Sequence, residues 1–401
     1  MKVVMIPSGF KECLHAGEVG IAMERGARRY NNQIDVEILP MIDGGEGFAK
    51  AITNIKGGQL IYKEVTGPVG EKVLGHFGIF EEDGKRTAVI EMAAVSGLHL
   101  VPKQQRNPLK TTSFGVGELI AYAMDLHINQ LLIGCGDSGT SDGGTGMAQA
   151  LGVQFFNDNH QLITIEGGGD LRRIAFMDTN KLDKRLRHLQ IDVACNWKNV
   201  LCGNQGVARV FGPQKGATRR QVELLATGLE HYAEVIQSHM HVDVRTMPGS
   251  GASGGLGAGL IAFAGATLHE RFTLIRDFID MEQAIASADV VFSAEGSLDF
   301  QTPNGKVPAE VARIARKYDV PVVIIAGTIG KGATANYRAG IHAYTSITQK
   351  PIALNEALEL APKWIEDSVE SILRQIEIGT KLAKRKDVIH VKGNGRAFQK
   401  Q

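Results

Sequence analysis

Short apolar runs separated by glycine-rich polar loops recur along the chain, and stretches of helical periodicity lie between them. Lys2 to Pro7 predicts a buried strand, and Leu14, Val19, Ala22, Met23 and Ala27, near helical spacing, predict the helix that follows it. Ile34 to Leu39 predicts a second strand. From Glu64 to Ile90 the pattern becomes alternating and glycine-punctuated, as in Lys72-Val73-Leu74-Gly75-His76-Phe77-Gly78-Ile79-Phe80, which predicts antiparallel hairpins. Thr111-Thr112-Ser113-Phe114-Gly115 reads as the cap of a helix with Val116, Leu119, Ile120, Ala123 and Met124 on one face, leading into a strand at Leu131 to Ile133. Ile191 to Cys195, Ala288 to Ser293, Pro321 to Ala326 and His342 to Ser346 predict further strands, with a helix from about Arg220 to Gln237.

Strand, loop, helix at both ends with hairpins in the middle predicts an α/β fold of two α/β domains. Residues 1–64 and 285–380 would form a parallel, Rossmann-like three-layer domain, and residues 65–284 an inserted α/β domain with a mixed sheet. Residues 381–401 hold seven Lys or Arg and little apolar content, which predicts a basic mobile tail.

Composition narrows the classes. A chain of 401 residues suits two or three domains at ~150 residues each. With 43% hydrophobic and 22% charged residues and a net charge of +1, nothing points to nucleic acid or a membrane as partner. No apolar run is long enough to span a bilayer, and the chain opens in a strand without a signal peptide, so a cytoplasmic location is expected. Cys13, Cys135, Cys195 and Cys202 form no CxxC pair and no zinc spacing, which predicts reduced structural thiols. The 48 glycines exceed the usual ~7% and are clustered, as backbone-built binding loops require.

Candidate chemistry sits in loops after strands, where an open parallel sheet presents ligands. The densest is Leu131 to Met147, whose glycines can turn backbone N–H groups outward and whose Ser138, Thr140 and Ser141 add hydroxyl donors. Asp142 adds a metal ligand or base, and the helix beginning near Met147 would favour phosphate at its N-terminus. Gly136, Ser138, Gly139, Thr140, Gly143 and Gly144 are therefore expected to cradle phosphate. Gly134-x-Gly136-x-x-Gly139 with Asp158 also matches the dinucleotide fingerprint, but polar and glycine residues run on to Gly146 before any apolar helix, against that geometry. A glycine-rich turn without a ligand is the other reading.

Asp43-Gly44-Gly45-Glu46-Gly47 follows a strand and brings two carboxylates suited to Mg²⁺ or acid-base work; the same spacing is that of a capping box. Lys11, and Lys215 with Gln214 in Phe211 to Ala217, offer positive charge for a phosphate or carboxylate, although a turn lysine is more often only solvated. Pro248 to Gly259, with Gly254 and Gly255, faintly resembles the phosphate loop of galactokinase-type kinases without its paired serines, and close helix packing explains it equally well. Glu295-Gly296-Ser297-Leu298-Asp299-Phe300-Gln301-Thr302 and then Gly305-Lys306 follow a further strand. No GxxxxGK with a following Ser or Thr occurs, which disfavours a P-loop kinase.

Taken in order, Phe10-Lys11, Asp43-Gly44-Gly45-Glu46-Gly47, Val65-Thr66-Gly67-Pro68, Glu91-Met92-Ala93, Arg106-Asn107-Pro108, Asp142-Gly143-Gly144-x-Gly146-Met147, Phe211 to Ala217 and Glu295 to Thr302 resemble the bacterial glycerate kinases from Met1 to about Leu373. The resemblance implies ATP and Mg²⁺ as cofactors, D-glycerate as substrate and transfer of the γ-phosphoryl group to a hydroxyl, commonly the 2-hydroxyl. It casts Lys11, Asp43, Asp142 and Lys215 in catalytic roles and Asp43 and Glu46 as metal ligands. Gly136, Ser138, Gly139, Thr140, Gly143, Gly144, Gly254 and Gly255 would bind phosphate, and Ser8, Asn196, Gln214, Glu295, Asp299 and Gln301 the acid. Assembly as a homodimer is left open.

Four motifs depart from the family pattern. Pro-Asp-Ser-Phe-Lys is here Pro7-Ser8-Gly9-Phe10-Lys11, Thr-Asn-Asp-Gly-Gly is Thr140-Ser141-Asp142-Gly143-Gly144, Ala-Cys-Asp is Ala194-Cys195-Asn196, and Glu-Gly-Arg-Leu-Asp has Ser297 for Arg. All fall at strand ends, where ligands bind. A kinase for another small hydroxy acid, or a member that binds nucleotide without turning it over, are therefore the alternatives.

Overall fold

The computed structural model describes residues 1–10, 13–41, 44–303 and 306–395. The chain divides into two compact units, Met1–Met41 with Asp280–Gln401, and Ile42–Ile279. The first boundary thus falls before residue 65. Cutting at 64/65 would split the strand Gln59–Thr66, which pairs antiparallel with Lys72–Glu82. It would also detach the helix Phe48–Ile55, which packs on that hairpin with the Thr53 side chain over Gly78.

The discontinuous unit is built on five parallel strands in the spatial order Ala343–Ser346, Val322–Ile329, Val290–Leu298, Lys2–Pro7 and Asp35–Ile38. Its central strands are apolar on consecutive positions because both faces are covered. Val3, Met5, Val290, Phe292, Val323 and Ile325 meet Val19, Met23 and Ala27 of the helix Ala16–Tyr30 and Trp364, Ile365, Val369 and Leu373 of the helix Leu354–Gly395. The helix Val307–Ala315 packs against the same strands through Val311, Ala312, Ile314 and Ala315. A tail beginning at residue 381 is not what the backbone does: the last helix runs on to Gly395, with Lys381 to Arg385 exposed on it.

The other unit carries a six-stranded mixed sheet in the order Thr267–Glu270, Gln190–Cys195, Gln130–Gly134, Lys85–Glu91, Lys72–Glu82 and Gln59–Thr66. The first four run parallel and the last two complete the antiparallel meander expected from the alternating pattern. Phe114–Met124 and Ala252–Ala264 supply Val116, Leu119, Ile120, Leu256 and Leu260 to its core. A small antiparallel sheet of Leu162–Ile163, Gln154–Phe156 and Phe176–Asp178 joins a second core with the long helix Arg219–Met240. Among the described residues no helix is long and apolar enough to cross a membrane.

Gly26 lets the first and last helices of the discontinuous unit pack closely: an added Cβ would lie 2.3 Å from the Glu366 carbonyl oxygen and 2.9 Å from Val369. Arg29, one turn on, pairs with Asp367 and Glu370 at 2.7 Å each. Gly26→Ala is expected to lower stability by about 1–3 kcal/mol through overpacking against backbone that cannot yield. Thermal unfolding followed by circular dichroism checks this, and an unchanged midpoint would show that these helices have room to part.

Candidate active site

Three parallel strands end together at Glu91, Gly134 and Cys195, and the long glycine loop starts there. Lys215, at the end of the turn Pro213–Lys215, passes beneath this loop. Its ammonium donates to Ser138 Oγ at 2.7 Å and to the Thr140 carbonyl at 2.6 Å, with 3% of the residue exposed. Burial pushes its pKa down to about 7, against the pull of the Asp142 charge. Lys215 is not presented to solvent as a bare cation: Ser138, whose own proton remains to be donated, stands over it.

Asp142 is fully buried. One carboxylate oxygen accepts the Ser113 N–H at 2.7 Å, the Ser113 hydroxyl at 2.8 Å and the Gly146 N–H at 3.2 Å, while the other accepts the Gly144 N–H at 3.2 Å. Burial raises its pKa, opposed by those donors. This side chain ties the start of the helix Thr145–Ala150 to the start of Phe114–Met124, which differs from the catalytic contact expected of it. Ser113, read as a plain N-cap, makes no capping bond with its side chain and gives its hydroxyl to Asp142.

The glycines of the loop divide by what their N–H groups do. Gly139 donates to Ser96, Gly143 to the Gly254 carbonyl, Gly144 to Asp142 and Gly255 to Gly251. Those four amides are used inside the protein, so the expected cradle cannot rest on them. Gly143 lies against the Tyr232 ring, and a Cβ on Gly254 would lie 1.9 Å from the Thr140 carbonyl oxygen, so close loop-on-loop packing is what requires glycine here. Ser253, Gly254 and Gly255 are left-handed inside the helix Ala252–Ala264, which lets the two loops touch. Gly136 packs on Gly45. Beside these amides, Thr140 Oγ1, Ser141 Oγ, Ser253 Oγ and the Tyr232 O–H are buried without a hydrogen-bond partner among the described residues.

Lys11 and Asp43 lie outside the described residues. Glu46 is half-buried, its carboxylate 3.5 Å from His99 Nδ1 and its N–H bonded to Asp137 Oδ2 at 3.0 Å. The helix Phe48–Ile55 is capped by another residue, buried Glu91, which accepts from the N–H groups of Gly47 at 3.1 Å and Ala49 at 2.7 Å. The capping-box reading of Glu46 is accordingly replaced by a cap from the neighbouring strand. Asn196 accepts the Lys198 N–H at 3.1 Å, and Gln214 is exposed on its turn.

In the discontinuous unit a second polar set gathers where the strand Val290–Leu298 ends. Glu295, 6% exposed, accepts from the buried Thr302 hydroxyl at 2.7 Å, and burial raises its pKa against that bond and the nearby Lys306 charge. Asp299 accepts the N–H of exposed Gln301 at 2.8 Å. Ser8 gives its hydroxyl to the Ala294 carbonyl at 2.8 Å.

The model of the glycerate kinase family matches residues 3–377. The chain belongs to that family. It is 42% identical to the glycerate kinase of Bacillus subtilis (strain 168) over 378 residues, 94% of this chain and 98% of that one. It is 42% identical to the glycerate 2-kinase of Escherichia coli (strain K12) over 383 residues, 96% of this chain and all of the other. A crystal structure described as glycerate kinase 2 from Salmonella typhimurium LT2 superposes with a TM-score of 0.81 at 41% identity, covering 95% of this chain and 99% of its own. Membership in the glycerate kinase family makes this chain a phosphotransferase that uses an alcohol group as acceptor.

Lys215 generates a pH test. The unfolded chain holds more protons at this site than the folded one between about pH 7 and 10.5, so stability rises with pH across that window, and below pH 7 the full penalty of a buried charge applies. Lys215→Met lacks this dependence. Paired urea titrations are expected to show the wild type gaining on the variant as pH rises from 7 to 10; a constant gap would mean that Lys215 is not desolvated.

Proposed function

We propose that this chain transfers the γ-phosphoryl group of ATP to D-glycerate, at the 2-hydroxyl, with Mg²⁺. The observation that carries the reading is the buried Lys215 amine under a loop of hydroxyls. Phosphoryl transfer needs preorganised positive charge and donors more than covalent chemistry, and a donor set that is already fixed need not reorganise in the transition state. Ser138 and Thr140 are assigned to phosphate oxygens, with Ser141 and Ser253 beside them as further hydroxyl donors. Lys215 acts through Ser138, which it orients and polarises.

The half-exposed Glu46 fits a Mg²⁺ ligand, since Mg²⁺ bound to nucleotide phosphates needs only one or two protein carboxylates, and Asp43 is proposed with it from the sequence alone. Bound Mg²⁺ would offset charge on the phosphates. Glu295 and Asp299 are assigned to hydroxyls of the acid substrate.

Ser297 favours a second reading. It supplies no guanidinium fork for a carboxylate, so the acceptor would be another small hydroxy acid.

An enolase-coupled assay reports 2-phosphoglycerate directly, while ADP release across a panel of three- and four-carbon hydroxy acids separates the two readings. Turnover of D-glycerate with enolase signal is expected; ADP release without it moves the phosphoryl group to another hydroxyl, and no turnover of any acid sinks the kinase reading. Lys215→Ala should lower kcat/KM by on the order of 10² or more. Unchanged kinetics in a folded variant would leave Lys215 a packing residue.

A further inference from the structure

Lys306 has no assigned part in the reaction, yet its surroundings are poorly explained by folding alone. It occupies the N-cap of the helix Val307–Ala315, where no side-chain oxygen caps the first turn and Pro308 is the second residue. A cation is the wrong sign for that end of a helix, whose dipole already concentrates positive potential there. Local rules broken in this way point to function more often than to packing.

Its ammonium has three donors and few takers. Among the described residues, the Ser297 carbonyl at 3.2 Å is the acceptor within hydrogen-bond distance. Glu295 Oε2 and Asp299 Oδ1 both stand 3.6 Å away, with the Lys306 side chain 37% exposed, a geometry worth little as a salt bridge. Neither carboxylate depends on Lys306 for a partner, because Glu295 takes the Thr302 hydroxyl on its other oxygen and Asp299 takes the Gln301 N–H. Thr302 is wholly buried and fixes Glu295 so that Oε2 is the oxygen turned toward Lys306. The group sits at the carboxyl end of a parallel strand, where such sheets bind ligands.

We propose that Lys306 and Glu295 together clasp the acceptor hydroxyl and are catalytic residues of the transfer. The alcohol oxygen accepts a hydrogen bond from Lys306 and donates its proton to Glu295 Oε2, bridging the two side chains, which lie 3.6 Å apart. In the step, the bond from the alcohol oxygen to the γ-phosphorus forms and the bond from that phosphorus to the bridging oxygen of ADP breaks. The hydroxyl proton passes to Glu295, and Lys306 stabilises negative charge on the attacking oxygen as it develops. This assignment rests on the kinase reading above but not on which hydroxy acid is the acceptor.

The test uses the full-length protein and the best acid of the panel, with Lys306→Met, Glu295→Gln and the double variant. Each single change is expected to lower kcat by on the order of 10² or more, with nucleotide binding, read by calorimetry with ADP and Mg²⁺, unchanged. Groups acting as one unit give a double variant scarcely worse than either single one. Lys306→Arg should recover little, because the planar fork does not reproduce a point donor. Single-variant kcat values near wild type in folded protein would overturn the proposal, as would losses that multiply in the double variant. A wild type that phosphorylates a different hydroxy acid removes D-glycerate from the proposed function and leaves this test intact on that acid. A wild type inert toward the whole panel overturns both.

Discussion

Burying Asp142 within one loop and Lys215 beneath it is a constraint that much of the larger unit answers to. An ammonium and a carboxylate lose far more hydration on burial than their attraction returns unless their donors and acceptors are met locally. Asp142 meets that condition by drawing in Ser113 and the N–H groups of Gly144 and Gly146, and so fixes the first turns of two helices against the end of the central strand. Lys215 meets it through Ser138 and the Thr140 carbonyl. Neither interaction survives if the loop moves by an ångström. A loop that would otherwise be among the softest parts of the molecule is thereby made rigid, which is what electrostatic preorganisation requires.

The same constraint explains the glycines. For the Thr140 to Gly144 backbone to fold back over Lys215, it must lie against the left-handed Ser253 to Gly255 turn, and the two backbones come so close that a Cβ on Gly254 would strike the Thr140 carbonyl. Glycine here is selected by steric approach, and the resulting hydrogen bond from Gly143 to the Gly254 carbonyl consumes an amide that a phosphate might otherwise take. Hydroxyls are then candidate donors beside the amides, because among the described residues the Thr140 and Ser141 hydroxyls have no hydrogen-bond partner.

The fold was legible because its signal is periodic. Continuous apolar strands at both ends, alternation between Glu64 and Ile90, and helical spacing elsewhere translate directly into a parallel sheet and a mixed one. Boundaries were harder to see: Phe48–Ile55 follows a strand of one unit but packs on the other, and nothing in its own residues says which sheet it will cover. The site was legible only as a set of loops. Glu91 reads as the last residue of a buried strand, and its capping of Gly47 and Ala49 depends on a pairing 42 to 44 residues away. Ser113 gave the ordinary signature of a helix cap, and only the fold brings Asp142 to it. A Ser, Glu or Lys in a loop announces chemistry without announcing its partner.

Burial and donor count separate the carboxylates more sharply than residue type does. Asp142 has protein donors on both oxygens and no exposure, so a ligand would reach it only by displacing a loop N–H, at a cost of about 1–3 kcal/mol. Glu91 likewise spends both oxygens on amides. Glu295 is nearly as buried, with one oxygen accepting the Thr302 hydroxyl at 2.7 Å and the other facing the Lys306 ammonium at 3.6 Å. A carboxylate whose second oxygen has only an ion partner at 3.6 Å can take a ligand hydroxyl without giving up a backbone N–H. On the proposed reading, that difference separates Glu295 from the two acids whose oxygens hold backbone amides in place.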